Sequence, residues 1–420
     1  MSRKSGSNLL KNSVLSFLLN VSSTAIGFFA IPITLKIMGI ELYGSFIFMQ
    51  SVAMIAFTLV TVQYWQGLLV ELPGKISSVA VLKREIGRSL LFELAGMATA
   101  FLAVLALMVP ALHISQVSGF GPLDAVFIVL SMLLPSLGSL VAFYRLTNKY
   151  QVLLMAGVSA NLLRLVMLYG AAHWSPTPSS VIVCYALPEL CRLTYLGLLI
   201  YRKPAGPVEP ADAPLDQRAV LSTGKWSTLL AVADLPVAYI DKVLVGVALS
   251  PEALGVYNIL KRLYAIISMA TAPVYTNSIP EFSHKLNVGD RAGAFALWRK
   301  TILILLPVAT LIGLTAFLCR PIWVPIIYRG LAQYDLELFI MMLTAVIGGS
   351  FITTHAFYWA LGKKKETSVV TVCSNLLYMA ELLLLSHYFG ITGAISAFLL
   401  HVSLVVVIKV ILVLKEKAVK

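Results

Sequence analysis

Twelve apolar stretches, each long enough to cross a bilayer, constrain this chain more than any motif does. A membrane-spanning helix needs about 20 apolar residues to cover the hydrocarbon core. Such stretches run over residues 13–38, 43–70, 88–110, 122–144, 151–172, 179–200, 223–247, 255–278, 301–319, 335–361, 367–388 and 394–414. Of the 420 residues, 59% are hydrophobic and only 12% charged. A soluble fold of this size has no interior able to hide that much apolar surface. Transmembrane strands are excluded by segment length and by the lack of sustained period-two alternation. The expectation is an all-α integral membrane protein with about twelve transmembrane helices.

Lys and Arg placement orients the spans. The basic start MSRKSGSNLLKNS runs straight into a first span too long for a cleaved signal peptide, so it reads as retained. One set of connections holds Arg3, Lys4, Lys11, Lys75, Lys83, Arg84, Arg88, Arg145, Lys149, Arg202, Lys203, Arg218, Lys225, Lys285, Arg291, Arg299, Lys300, Lys363, Lys364, Lys365, Lys415, Lys417 and Lys420. The opposite set holds Arg320 and Arg329. The positive-inside rule then predicts that both termini are cytoplasmic. Most of the net charge of +13 is explained by topology, and no soluble basic module exists that would bind nucleic acid. Cys184, Cys191, Cys319 and Cys373 lie in or at the ends of spans without metal-binding spacing, so no metal site or cofactor is expected.

The most polar connection is RKPAGPVEPADAPLDQR at 202–218, rich in Pro and Ala, which reads as an extended linker. It divides the chain into an N-terminal six-helix lobe over 1–201, a cytoplasmic linker over 202–222 and a C-terminal six-helix lobe over 223–420. The halves echo each other. LKIMGIELYGSF at 35–46 and DKVLVGVALSPEALGVYNIL at 241–260 each place a Lys near the end of one helix, then a turn, then Gly and Tyr in the next. Six spans on each side of a linker fit a repeat related by an axis along the membrane normal.

Three spans carry polar stripes. In span eight, Tyr257, Lys261, Tyr264, Ser268, Thr271 and Tyr275 fall within an arc of about 80° at 100° per residue, with Arg262 off it. In span one, Asn12, Ser16, Asn20, Ser23, Gly27 and Thr34 share a similar arc of about 80°. In span seven, Thr223, Ser227, Asp234, Ala238 and Asp241 lie within about 60°. Spans three, four, nine and twelve are close to uniformly apolar. Polar faces on several helices predict a water-filled cavity between the halves, although Ser, Thr and Asn also glue membrane helices together.

Ionisable groups sharpen the choice, because each costs at least about 2.5–3.5 kcal/mol in a span and needs water or a partner. Asp234 and Lys261 are the expected lining of the path, with Asp241 and Lys242 near the end of span seven. Arg164, Glu189 and Arg192 form a second set, Glu189 and Arg192 being i,i+3 neighbours that can pair. A structural ion-pair cluster is the plainer reading of that set. Glu93 and Glu381 are lone acids, for which snorkelling or a local hydrogen bond is expected over a proton site. Lys36 sits opposite the span-one stripe, where it can snorkel. His355 and His401 read as hydrogen-bonded packing groups. Pro32, Pro236 and Pro273 invite kinks in the three striped helices.

Several segments carry a family resemblance. LLKNSVLSFLLNVSSTAIGFFAIPITLKIMGIELYGSFIFMQSV at the start and LGVYNILKRLYAIISMATAPVYTNSIPEFSHKLNVGD at 254–290 resemble polysaccharide-unit flippases of the multidrug/oligosaccharidyl-lipid/polysaccharide exporter superfamily. ALGKKKETS at 360–368 and YFGITGAISAFLLHVSL at 388–404 are similar to that family's last cytoplasmic loop and final helix pair. The resemblance implies two six-helix lobes around a central cavity. It implies flipping of polyprenyl-diphosphate-linked oligosaccharide repeat units, of the lipopolysaccharide O-antigen or capsule type, across the bacterial cytoplasmic (inner) membrane. Alternating access coupled to a proton or sodium gradient, and partners such as a polysaccharide polymerase and a chain-length regulator, follow from the same resemblance. Carried onto this chain, it makes Lys261, Arg262 and Lys242 the phosphate-facing cations, with Tyr257, Tyr264 and Asn20 beside them. Asp234 and Asp241 become the ion-coupling acids.

Two other readings compete. A drug/cation exporter of the same superfamily would favour cavity acids and aromatics without matching cations. A membrane glycosyltransferase or polymerase would need a sizeable extramembrane loop or an Asp-x-Asp donor motif. This chain has neither, and no catalytic constellation is expected in it.

Overall fold

The computed structural model describes residues 2–73, 79–114, 120–202 and 216–418. Every regular element among them is helical. In chain order these are α1 (Ser2–Val60), α2 (Tyr64–Glu71), α3 (Val79–Ile114), α4 (Pro122–Leu133), α5 (Ser139–Leu146), α6 (Tyr150–Trp174), α7 (Pro178–Arg202) and α8 (Gln217–Leu235). There follow α9 (Asp241–Ala248), α10 (Pro251–Asn287), α11 (Arg291–Leu318), α12 (Arg320–Ile327), α13 (Asp335–Ser350), α14 (Ile352–Ala360) and α15 (Lys364–Ala418).

All twelve predicted spans fall on these helices. α1 carries the first two, separated where Gly39 takes φ 73° and ψ 172°. α15 carries the last two, separated at Gly390 with φ 57° and ψ −137°. Both angle pairs lie where a side chain is disfavoured, so glycine is what allows the chain to leave one helix and enter the next. By length and hydropathy, eight described segments can cross a membrane, and Val14–Val60 and Glu366–Glu416 are long enough for two spans each. The two spans outside that group are seven and eight, which hold Asp234, Asp241, Lys242, Lys261 and Arg262.

The chain forms two compact units, Met1–Leu235 and Pro236–Lys420. The predicted linker, 202–222, lies mostly outside the described residues. α8, which follows it, packs on α2 in the first unit. There α1 also packs on α3, α4 and α6, while α7 packs on α4 and α6. Tyr64, Leu68, Phe143 and Tyr144 are core residues of this unit, and the Tyr144 hydroxyl donates to the Leu196 carbonyl at 2.8 Å. In the second unit α10 packs on α9, α11, α13 and α14, and α15 packs on α9, α13 and α14. Its core includes Phe282, Phe357 and Trp298, with Phe282 edge-on to Phe357 at 5.0 Å and Trp298 stacked on it at 5.8 Å.

Span four is broken. Pro135 lies in a 3₁₀ turn at Leu134–Ser136 between α4 and α5. The start of α5 is capped from another helix: Glu93 on α3 accepts the Gly138 and Ser139 backbone N–H groups at 2.7 and 3.1 Å. Glu93 is 1% exposed, so the acid of span three serves a local hydrogen-bonding role in this fold. Span two is broken as well, between α1 and α2. There the Gln63 N–H donates to the Thr228 hydroxyl of α8 at 2.9 Å.

Candidate functional site

The most polar part of the second unit begins at a proline. Pro236 has no N–H to continue the α8 ladder, and the chain widens into a π turn, Pro236–Ile240, before α9. The wider turn changes the helix face. Asp234 and Asp241 share a stripe at 100° per residue, yet Asp234 is exposed and Asp241 fully buried.

Asp241 is saturated. Its Oδ1 accepts the Lys242 backbone N–H at 2.8 Å. Its Oδ2 accepts Lys261 Nζ at 2.5 Å and the Tyr257 hydroxyl at 2.8 Å, with the Tyr378 hydroxyl at 3.3 Å. The two tyrosine hydroxyls are 2.8 Å apart. With one proton each, the chain Tyr378 to Tyr257 to Asp241 uses the shorter contacts. Lys261 also donates to the Val237 carbonyl of the π turn at 2.7 Å and lies 4.5 Å from the Phe398 ring centroid. The neighbouring lysine behaves alike: Lys242 Nζ donates to the Ala238 carbonyl at 2.8 Å and lies 5.0 Å from the Tyr239 centroid. Each cation thus has backbone oxygen and an aromatic face in place of lost water.

Helix periodicity explains the assembly. Tyr257 and Lys261 are one turn apart on α10 and point the same way. The two arms of α15 supply Tyr378 and Phe398. Tyr264 packs edge-on against Phe398 at 5.1 Å. His401 lies 4.8 Å from Tyr378 and donates from Nδ1 to the Ser374 carbonyl at 3.2 Å.

The other predicted residues are distributed between the units. Tyr257 is fully buried, whereas Lys242, Arg262 and Tyr264 are half-buried. Asn20 and Asp234 are exposed residues of the first unit. Of the span-one stripe, Ser23 receives a hydrogen bond from Asn161 of α6 at 3.0 Å, and Thr34 pairs with the Tyr185 hydroxyl of α7 at 3.1 Å. That part of the stripe therefore joins helices within the first unit. The side chains of Asn12, Ser268 and Pro273 lie outside the described residues.

Remaining ionisable groups have identifiable surroundings. Lys36 is exposed. His355 Nδ1 accepts from Lys409 Nζ at 2.9 Å, which places the imidazole proton on Nε2, and the ring lies beside Tyr275. Glu381 has a buried Oε2 without a hydrogen-bond partner among the described residues. Arg164, Glu189 and Arg192 do form an ion-pair cluster in the first unit. Among the described residues no group of three or more His, Cys, Asp or Glu is placed to hold a metal. Sequence reasoning missed Tyr378 and Phe398, for which a polar-tipped tyrosine in an apolar span was the available signal.

Comparison with known proteins agrees with this architecture. A family model described as polysaccharide biosynthesis protein matches residues 9–285. No curated protein matches the chain. Among solved structures, an inward-facing multidrug resistance MATE family transporter of the MOP superfamily aligns at TM-score 0.66 and 12% identity, over 93% of this chain and 92% of that one. The MATE multidrug transporter DinF-BH aligns at TM-score 0.63 and 16% identity, over 98% and 96% of the two chains. The lipid II flippase MurJ, inward closed, aligns at TM-score 0.62 and 14% identity, over 96% and 87%. At these identities the likeness establishes the fold, that of MOP-superfamily membrane transporters.

Proposed function

The chain belongs to the polysaccharide biosynthesis protein family, and from that membership we propose that it flips polyprenyl-diphosphate-linked oligosaccharide repeat units across the cytoplasmic membrane by alternating access. The observation that carries this reading is the family match across all three striped spans, one, seven and eight. The structural neighbours support it, since one of them is named a lipid II flippase.

The chemistry of the second unit fits such a cargo. A sugar diphosphate cannot shed its hydration without replacement polar groups. Lys261 is the first candidate for its phosphate, with Lys242 and Arg262 behind it, and tyrosines such as Tyr264 offer ring faces to sugars. Asn20, in the first unit, is a further candidate for cargo binding. Lys261 is balanced by Asp241 at rest. When a phosphate draws that ammonium away, Asp241 is left as a buried, uncompensated carboxylate, which favours uptake of a proton or sodium ion. Asp234, already exposed, is the second candidate for coupling. The positive-inside bias supports cytoplasmic termini. Polymerase and chain-length-regulator partners are part of the same proposal.

The test is surface glycan per unit of folded protein in a cell that depends on this chain for export. Lys261→Glu is expected to lower export by about tenfold or more, and Lys261→Arg to retain most of it. Export by Lys261→Glu at the wild-type level would remove the phosphate role. The second reading, a drug/cation exporter, is favoured by an acid, Asp234, in span seven and by the MATE neighbours.

A further inference from the structure

The first unit holds two guanidiniums around a single carboxylate, midway along α6 and α7. Glu189 Oε1 accepts Arg164 Nη2 at 2.9 Å, and its Oε2 accepts Arg192 Nε at 2.7 Å. The Arg164, Glu189 and Arg192 side chains are only 14%, 9% and 15% exposed. One carboxylate neutralises one cation, so the cluster keeps a net positive charge at a depth where such a charge is expensive. Its donors are also in excess. Arg164 Nε is buried with no hydrogen-bond partner among the described residues, and Arg192 gives its Nε to Glu189. The arrangement is held in place: Arg164 lies 5.2 Å from the Tyr185 ring centroid, and the Tyr185 hydroxyl is bonded to Thr34. A cluster serving packing alone would need one arginine for one glutamate. The second arginine, together with the unused Arg164 Nε donor, is what an incoming anion would complete.

We infer that Arg164 and Arg192 form an anion site within the first unit that takes a phosphoryl oxygen, with Glu189 as the residue that spaces and orients them. The phosphoryl group has two sources of the same chemistry: the diphosphate of a lipid-linked cargo, which rests on the function proposed above, or a phospholipid headgroup.

The experiment uses the full-length protein in phosphatidylcholine nanodiscs, titrated with farnesyl diphosphate and, separately, with farnesol. The diphosphate is expected to bind more tightly than the alcohol. Arg164→Gln and Arg192→Gln each weaken diphosphate binding by about 10- to 100-fold, as expected for losing a charged hydrogen bond, and leave farnesol binding unchanged. Arg192→Lys retains most of the affinity, which separates the effect from misfolding. Glu189→Gln, which adds net positive charge, binds the diphosphate at least as tightly as wild type. In a third arm, nanodiscs containing phosphatidylglycerol stabilise wild type against heat more than Arg192→Gln, and compete with the diphosphate, if a headgroup is the natural occupant. The inference is overturned if the arginine variants bind the diphosphate as wild type does, or if Glu189→Gln loses that binding while they keep it. It is also overturned if wild type neither prefers the diphosphate over farnesol nor responds to phosphatidylglycerol. Binding through this site without movement of any lipid-linked glycan would contradict the proposed function and leave the anion site standing.

Discussion

Replacing Lys261 with Met is expected to destabilise the second unit by about 3–5 kcal/mol, the cost of leaving one member of a buried ion pair without the other. Asp241 is fully buried, and Lys261 Nζ on its Oδ2 is its one cationic side-chain partner among its described contacts. Tyr257 still donates to that oxygen in the variant and Tyr378 to Tyr257, but neither brings compensating charge. Asp241→Asn is expected to be milder, because Lys261 retains the Val237 carbonyl and the Phe398 ring. The double variant, Lys261→Met with Asp241→Asn, should recover about 0.5–3 kcal/mol relative to the sum of the singles, the range for residues sharing one network. Thermal unfolding in a fixed detergent gives all three values. Additive losses would mean that the two residues do not act as a unit.

Gly67→Leu is expected to break the docking of α8 on α2. A Cβ at Gly67 would lie 2.1 Å from the Val220 carbonyl oxygen and 2.9 Å from Val220 Cγ1. One side of that clash is backbone, so no rotamer change relieves it. The approach is close on both helices, since a Cβ at Gly224 would lie 3.0 Å from the Gln63 carbonyl oxygen. Small residues are what allow membrane helices to pack at this range. Separation would also remove the Thr228 oxygen from the Gln63 N–H, which sits in the break of span two. Together the loss should be about 3 kcal/mol or more, above the usual cost of overpacking, with Gly67→Ala intermediate. Proteolysis within the 203–215 segment, followed by affinity capture of the N-terminal fragment, reports whether α8 stays attached. Retention of α8 by Gly67→Leu at the wild-type level would show that the contact does not hold it.

Apolar length made the spans legible, because the bilayer demands a run of about 20 residues whatever the packing. The turns at Gly39 and Gly390 were legible too, as interruptions between runs. Side-chain partners were harder. Asp234 and Asp241 fall in one stripe only while the helix keeps 100° per residue, and the π turn after Pro236 breaks that count. Tyr378 joins Asp241 across 137 positions of sequence, and no local period carries that contact. The Glu189–Arg192 bond was readable from i,i+3 spacing, whereas the Arg164 arm comes from a neighbouring helix. Glu93 illustrates the same limit. Its role depends on a helix start that Pro135 and Gly138 create in another span.

The most direct measurement is made on sealed vesicles containing the purified protein and one fluorescent polyprenyl-diphosphate oligosaccharide. A membrane-impermeant glycosidase or lectin then reads how much glycan is on the outer face over time. The flippase account predicts that protein-containing vesicles expose internal glycan far faster than protein-free ones, and that Lys261→Glu does not. Equal rates in vesicles with and without the protein, alongside uptake of a cationic drug that depends on Asp234, would contradict it.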